Sequence, residues 1–436
     1  MIPTVYPIRQ TLSLSVCRTE KFKSGMLSVS AVLPIRQESV WKTSLLLSVL
    51  RRGTEKYPTL EALNRRLDYL YGTELSIRNF YRGDFQIIGF SAELLDASYL
   101  PRDEDTTAEI LDVMCQILFH PLLDENGLLL SRYVESEKQL QCDAIRAAKN
   151  NPRAYANDRF RALMYENEPC GFPILGTEDE VMALTPEELT AHWRALIREL
   201  FPHFFYVGAA DPEALGLALE QSFGAALAGA CLPVALPKPC VIRTAKPVRR
   251  MEEPLEVGQG QLILGFRTGV TISDPSFYAC VVFNELLGMS PVSKLFVNVR
   301  EKLSLCYSCS STYHSHKGTL TVSAGLSRAN RNQAEAEILA QVEAIRKGEI
   351  TDEEMLAARS SLINAYRQIE DSPAAVESFY FSRSLAGAFD TTADCRKAFA
   401  AVTKEDVIAV AQGFSLDTVY FLDGLLDTED ESNEDD

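Results

Sequence analysis

The stretch ESVWKTSLLLSVLRRGT, from Glu38 to Thr54, decides how this chain is interpreted. We predict that it is a helix, and on a helix the positions i, i+3 and i+4 share one face. In the metal-binding motif H-x-x-E-H that face carries two imidazoles and one general-base carboxylate. Here the corresponding face carries Ser44, Leu47 and Ser48. The sequence therefore predicts a helix of this kind without metal ligands.

Four further segments form an ordered set of short motifs along the chain. They are IRAAKNNP at Ile145–Pro152, CGFPILGT at Cys170–Thr177, GMSPVSKLF at Gly288–Phe296 and REKLSLCY at Arg300–Tyr307. Each segment alone is a weak signal. Their shared order and spacing carry the information about the fold.

Taken with the Gly-Thr pair at Gly53 and Thr54, these motifs resemble the insulinase/pitrilysin-like zinc peptidases (inverzincins). Within that family the chain looks most like the non-catalytic YmfF-like bacterial proteins, which carry a label for association with elongation factor P modification. No residue in this chain argues for that label. The resemblance implies two α+β domains that close like a clam shell around a peptide chamber.

The resemblance also implies where the catalytic residues of the family would fall. Its two zinc-binding histidines correspond to Ser44 and Ser48, its catalytic glutamate to Leu47, and its third ligand, a glutamate, to Ala144. Zinc needs three or four N, S or O ligands, which these residues do not supply. Asp143 is no substitute, because neighbouring helix positions point about 100° apart and one carboxylate does not hold zinc. We therefore expect no metal and no cofactor in this chain.

Arg300 and Tyr307 are the predicted substrate-binding residues. Spacing alone favours a surface arginine at a helix end and a packed strand tyrosine. The resemblance implies instead that this pair holds the substrate backbone near the scissile bond and stabilises the developing oxyanion. The chemistry suits that role, because a guanidinium is a fixed cationic donor and a phenol O–H can donate to an oxyanion.

Two other motifs invite a functional interpretation that the sequence does not favour. Cys306 and Cys309, with His314 and His316, contain the cysteine spacing of a metal site. In a strand, however, the two cysteines would face opposite sides. The segment Gly288–Phe296 lacks the G-x-x-x-x-G-K-[ST] pattern of a phosphate-binding loop, so we predict a turn followed by a helix.

Composition excludes several classes of protein. The chain has 436 residues and a net charge of −17, which argues against nucleic-acid binding, since that usually requires a basic surface. No run approaches the roughly 20 apolar residues of a membrane span, and the N-terminus does not resemble a signal peptide. The ten scattered cysteines fit free thiols in a reducing cytoplasm. Residues 427–436 are predicted to be an acidic, disordered tail.

The two halves of the chain repeat the same order of elements. Thr185 and Thr403 each precede acidic residues and are predicted to cap a helix N-terminus. An aromatic-rich run follows each helix, at Phe204–Gly208 and Val419–Asp423, and is predicted to be a buried strand. The repeat predicts two homologous domains.

We predict an α+β fold, with a largely antiparallel sheet and helices on one of its faces in each domain. One hairpin is expected where Leu75–Asn79 precedes Phe85–Phe90. A proline-rich linker at Ala228–Pro254 separates a domain of residues 1–230, which lacks the zinc ligands, from a domain of residues 250–426, which carries the Arg/Tyr pair.

These observations predict a cytoplasmic, catalytically inactive peptidase homologue. It would pair with a homologous zinc-bearing subunit, hold peptide or unfolded substrate, and bind neither nucleic acid nor membrane. The alternative is a non-enzymatic peptide-binding or scaffold protein of the same fold. A self-sufficient peptidase with relocated ligands is the least favoured interpretation.

Overall fold

The structure is a computed structural model that describes residues 2–9, 12–101, 106–228, 238–245 and 247–426. The predicted acidic tail, residues 427–436, lies outside the described residues, as do residues 229–237 of the predicted linker.

The strands of the described chain, in sequence order, are β1 (Thr4–Arg9), β2 (Leu12–Arg18), β3 (Ser24–Pro34), β4 (Glu74–Arg82), β5 (Phe85–Leu95), β6 (Pro202–Gly208), β7 (Arg249–Leu255), β8 (Gly260–Arg267), β9 (Ser308–His314), β10 (Thr319–Leu326) and β11 (Ser415–Gly424).

The α-helices of the described chain are α1 (Val40–Leu50), α2 (Leu60–Tyr69), α3 (Thr106–Phe119), α4 (Ser131–Ala147), α5 (Pro152–Met164), α6 (Glu178–Ala183), α7 (Pro186–Glu199), α8 (Pro212–Phe223), α9 (Phe277–Asn284), α10 (Arg331–Arg346), α11 (Asp352–Gln368), α12 (Pro373–Leu385), α13 (Thr392–Ala401) and α14 (Lys404–Gln412). Glu285–Met289 and Leu295–Lys302 are π-helical. Within the described ranges, no helix has the length and apolar character needed to cross a membrane.

The described strands form two sheets with the same internal order. The first runs β1-β2-β6-β3-β5-β4 and the second runs β7-β11-β8-β10-β9. In the first sheet β6 is antiparallel to β3 and parallel to β2, and in the second β11 is antiparallel to β8 and parallel to β7. The order β2-β6-β3-β5-β4 is thus repeated, with β1 added at one edge of the first sheet. The predicted α+β class and internal repeat are confirmed.

Local sequence signals account for several of these elements. The side chain of Thr185 accepts from the backbone N–H of Glu188, and Thr403 accepts in the same way from Asp406. Each acidic side chain accepts in return from the backbone N–H of its threonine, so two otherwise unpaired donors are satisfied at each helix start. The predicted caps are therefore confirmed, and so is the predicted hairpin, because β4 pairs with β5 in antiparallel register.

The predicted linker is wrong in its last residues. Arg249–Leu255 is strand β7, which pairs in parallel with β11 at the edge of the second sheet. The prediction extended the linker to Pro254 because the segment is rich in proline. Proline is nevertheless tolerated in β7, because β7 is an edge strand and the N–H that proline lacks is not needed there.

The described chain divides into two compact units that do not follow chain order throughout. The first comprises residues 1–146, 172–238 and 370–382, and the second comprises residues 147–171, 239–369 and 383–436, within the described ranges. Each unit contains one of the sheets. Each also takes one segment from the other half of the chain, which adds most of α12 to the first unit and α5 to the second.

A buried ion pair holds the incoming segment in the first unit. Glu377, on α12, accepts from Arg78 of β4 at 2.6 Å and from the Ser28 hydroxyl of β3 at 2.7 Å. All three side chains are buried. Because an unpaired buried charge is costly, this partnership fixes α12 against the first sheet.

A larger cluster of charges does the same in the second unit. Glu168 follows α5 and forms ion pairs with Arg267 at 2.7 Å and with Lys317 at 2.6 Å. Arg267 also pairs with Asp417 at 3.0 Å, and all four side chains are buried. The cluster joins the segment around α5 to β8 and β11, as well as to the turn before β10.

Candidate functional site

Helix α1 places the three positions predicted to have lost the catalytic residues. Leu47 is 1% exposed and packs in the core of the first unit. Ser44 is also buried, and Ser48 is half-buried. Ala144, at the position of the third ligand, is exposed on α4. The face that would present a base and two imidazoles therefore presents a packed leucine and two hydroxyls.

Ser44 takes part in a hydrogen-bond network instead of a metal site. Its hydroxyl donates to the carbonyl oxygen of Ile174 at 2.7 Å and accepts from the side-chain amide of Asn79 at 2.8 Å. The side-chain amide oxygen of Asn79 in turn accepts from the side-chain amide of Gln86 at 2.8 Å. These contacts fix the rotamer of Ser44 and use both its donor and an acceptor site.

Side chains of α1, β4 and α4 hold the backbone of the CGFPILGT segment. The carbonyl oxygen of Phe172 accepts from the Tyr81 hydroxyl at 3.0 Å, and that of Leu175 accepts from Gln141 at 2.8 Å. Gly176 has a φ of +72°, and a Cβ there would lie 2.8 Å from the Trp41 side chain. Only glycine fits this position without strain, which gives the motif a structural role in the first unit.

Zinc, which the family's fold implies, does not fit these residues. The donor set offers hydroxyls and no imidazole, thiolate or carboxylate, and the Ser44 hydroxyl is already engaged. Asp143 is exposed and pairs with Arg146 at 3.2 Å. Among the described residues, no group of three or more His, Cys, Asp or Glu side chains is placed to hold a metal ion.

Arg300 lies on the π-helical segment Leu295–Lys302 of the second unit. Its guanidinium stacks on the Phe296 ring at 4.8 Å and lies 3.5 Å from the Glu301 carboxylate. The side chain is 43% exposed, so the charge faces solvent. The predicted turn and helix start in this region is confirmed: Ser290 and Ser293 close a turn before the helix begins.

The side chain of Tyr307 is 70% exposed, more than that of any other tyrosine that the structure describes. Its backbone N–H donates to Gly325 at 2.9 Å and is therefore fixed. Its phenol hydroxyl has no hydrogen-bond partner among the residues that the structure describes. The expectation from spacing alone, a packed strand aromatic, does not hold, because the residue precedes β9 and projects outward.

A short connection brings Arg300 and the Tyr307 segment close together. The chain leaves the helix through Ser304, whose φ of +49° is in the left-handed region, and Leu305 donates back to Val299 at 3.1 Å. The positive charge of Arg300 acts on the thiol of Cys306 and helps to lower its pKa. The two predicted substrate-binding residues thus lie on consecutive segments of the second unit, and both side chains are exposed.

The two cysteines of this segment do not lie in one strand, which is the condition under which they would face opposite sides. Cys306 lies before β9, Cys309 is the second residue of β9, and the chain bends at Tyr307. Both side chains are buried. The interaction between the two thiols lowers the pKa of Cys306 and raises that of Cys309.

Comparisons with known proteins show the family of this chain. The family model described as "Peptidase M16 inactive domain" matches residues 183–362; M16 is the insulinase/pitrilysin-like family. The chain is 30% identical to the "Probable inactive metalloprotease YmfF" of Bacillus subtilis (strain 168) over 95% of this chain and 96% of that protein. It is 25% identical to the "Uncharacterized zinc protease YmxG" of the same organism over 68% of this chain and 72% of that one.

Solved structures show the same fold. A conserved protein from Enterococcus faecalis V583 has a TM-score of 0.88 and 25% identity over 98% of this chain and 100% of that chain. A protease from Helicobacter pylori has a TM-score of 0.78 and 16% identity over 97% of this chain and 99% of that chain. At 30% identity across nearly the full length of the first relative, the chain belongs to the M16 metallopeptidase family as an inactive, YmfF-like member.

Proposed function

We propose that this chain is the non-catalytic, substrate-holding subunit of a heteromeric M16 peptidase that cleaves peptides or unfolded segments. The observation that carries the proposal is Tyr307, whose side chain is 70% exposed and whose hydroxyl has no hydrogen-bond partner among the described residues. An exposed tyrosine held on a fixed backbone is suited to bind something outside its own chain.

The two side chains offer complementary chemistry to a peptide. The Tyr307 phenol donates one hydrogen bond to a peptide carbonyl or to the oxyanion that forms when the carbonyl is attacked. The Arg300 guanidinium adds a fixed positive charge and several donors for the substrate backbone. Neither residue activates water, so the nucleophile must come from another chain.

The zinc and the general base would be supplied by a homologous subunit. This chain resembles both an inactive metalloprotease and a zinc protease of one organism, Bacillus subtilis (strain 168). That organism therefore holds two relatives of this chain, one named as an inactive metalloprotease and one named as a zinc protease. Cys17, Cys115, Cys280 and Cys395 are buried thiols, which fits assembly in the cytoplasm.

The test is peptide cleavage by the reconstituted pair, with Tyr307→Phe in this subunit. Removing one oxyanion donor typically lowers kcat by about 10²–10³, so we expect a loss of at least about tenfold with unchanged co-elution of the two chains. Tyr99→Phe, which changes a 54% exposed tyrosine of the first unit, is the matched control and should leave turnover unchanged. Equal turnover in both variants would exclude Tyr307 from the mechanism.

The second candidate is a peptide-binding or scaffold protein that needs no zinc-bearing partner. The acidic composition, with a net charge of −17, favours it because such a surface attracts basic peptides. A pull-down from the native cytosol separates the two candidates. A stoichiometric homologue with H-x-x-E-H supports the split peptidase, whereas recovery of the chain with basic peptides alone, released by salt, supports the scaffold.

A further inference from the structure

Strand β4 of the first unit carries two arginines on one face, with a phenylalanine between them. Arg78, Phe80 and Arg82 are alternate residues of β4, and alternate residues of a strand point to the same side of the sheet. The Cζ atom of Arg82 lies 5.2 Å from the centroid of the Phe80 ring, and the Cζ atom of Arg78 lies 5.7 Å from the same centroid. The two guanidinium groups therefore share one aromatic ring.

Only one of these two arginines has a counter-charge among the residues that the structure describes. Glu377 of α12, in the same unit, accepts from Arg78 at 2.6 Å, and both side chains are buried. Arg82 makes no hydrogen bond or ion pair with any described residue, and its Nε atom is buried without a partner. Two positive charges and one negative charge leave this cluster with one positive charge in excess, at Arg82.

The excess charge is unfavourable for the chain alone. Burial lowers the pKa of Arg82 and the charge of Arg78 lowers it further, whereas Glu377 has the opposite effect. A partly desolvated cation without a counter-charge costs free energy. The chain as a whole has a net charge of −17, so acidic residues are in excess elsewhere. An anion from outside the chain would supply the missing charge.

We propose that Arg82, supported by Phe80 and Arg78, is a binding site for a carboxylate group of a peptide. The site goes beyond the proposed function, because it requires neither Tyr307 nor a partner subunit.

Charge and shape favour a carboxylate over a phosphate. The planar guanidinium fork matches a carboxylate with two parallel hydrogen bonds. A carboxylate brings one negative charge, which equals the excess, whereas a phosphate dianion would exceed it in a cluster that already contains Glu377. Arg82 and Phe80 are half-buried and reach solvent, while Arg78 is only 8% exposed. Arg82 would therefore contact the ligand, with Phe80 holding the plane of its guanidinium.

Nitrogen-15 NMR of the full chain with labelled arginine tests the site directly. The Nε–H signal of Arg82 is the one missing from Arg82→Gln. The probes are N-acetylaspartic acid α-amide, with a side-chain carboxylate, and N-acetylalanine, with a terminal carboxylate. We expect saturable shifts of this signal, larger at equal concentration for the source of carboxylate that the site prefers. N-acetylasparagine amide and sodium chloride at the same concentration should leave the signal in place.

Calorimetric titration with the better probe measures the contribution of the side chain. A hydrogen-bonded charge typically contributes enough that Arg82→Gln should weaken binding at least about tenfold. Arg82→Lys keeps the charge without the fork and should bind with intermediate affinity. Arg132→Gln is the matched control, because Arg132 is an exposed arginine of the same unit that stacks on Tyr133 at 4.8 Å, and it should bind as the wild type does.

Three results would overturn the carboxylate site. They are the absence of a saturable shift with both carboxylate probes, equal affinity in Arg82→Gln and wild type, and stronger binding of inorganic phosphate than of either probe. None of these measurements involves peptide cleavage, so failure here leaves the proposed function intact. Unchanged turnover in Tyr307→Phe would likewise leave this site intact.

Discussion

Replacing Glu168 with glutamine is expected to destabilise the second unit selectively. The substitution keeps the shape of the side chain and removes its charge, while Arg267 and Lys317 stay buried beside it. Breaking a buried ion pair by removing one partner costs about 3–5 kcal/mol. Arg267 keeps Asp417 at 3.0 Å, and Lys317 keeps its hydrogen bond to the carbonyl oxygen of Cys240 at 2.6 Å. We therefore expect a loss of about 3 kcal/mol, at the lower end of that range.

Hydrogen exchange of β8 is the appropriate assay, because this strand carries Arg267 and lies inside the second sheet. Tryptophan fluorescence would not report on it, since Trp41 and Trp193 both belong to the first unit. When the exchange rate follows the equilibrium between the closed and the open form of the unit, a loss of about 3 kcal/mol speeds exchange of the most protected amides by about a hundredfold.

The neighbouring Glu166→Gln is the matched control. Glu166 is 69% exposed and lies 3.7 Å from Arg249, so its ion pair is a surface pair. Such a pair contributes about 0–1 kcal/mol, and exchange should change by less than about fivefold. Acceleration below about tenfold in Glu168→Gln, or equal effects of the two variants, would refute the assignment of the buried cluster as the contact that holds the segment around α5.

Two further predictions concern the first unit, where tryptophan fluorescence reports urea unfolding. Gly176→Ala should destabilise it more than Gly72→Ala, because both have φ near +70° but only Gly176 has a side chain, that of Trp41, within 3 Å of a new Cβ. Backbone strain of about 1 kcal/mol is common to both variants, so equal midpoints would contradict the steric argument. Burial lowers the pKa of His192 to about 4, whereas the pKa of a histidine in the unfolded chain is about 6.5. Between these two pH values the unfolded chain binds the proton more readily than the folded chain, so the free energy of unfolding should fall as the pH falls from about 6.5 to about 4. His192→Gln should flatten that decline, and an unchanged pH profile of stability in this variant would exclude His192 as the cause of the decline.

Local signals in the sequence were sufficient for much of the fold. The caps at Thr185 and Thr403, the β4–β5 hairpin and the repeated element order depend on neighbouring residues, which the sequence shows directly. The absence of metal ligands at Ser44 and Ser48 is likewise a matter of chemical identity. No arrangement of the chain turns these hydroxyls into imidazoles.

Sequence patterns could not predict which distant residues pair. Glu377 pairs with Arg78, and Glu168 pairs with Arg267, although each pair is far apart in the sequence and hydrophobic periodicity describes only neighbouring residues. The exchange of segments between the two units follows from these partners, because a buried charge must lie where its counter-charge lies. The linker boundary was missed for a related reason, since only the sheet edge makes Pro254 acceptable in a strand.

At the candidate site, the sequence determined which residues are present, and the tertiary structure decided what surrounds them. Sequence identified Arg300 and Tyr307 and showed that Leu47 is no base. Only the folded chain exposes Tyr307 while it buries the neighbouring Cys306 and Cys309. The physical reason is that burial depends on how the strand, the turn and the helix pack, and the alternation that a sequence pattern assumes holds only inside a strand, whereas Cys306 and Tyr307 lie before β9.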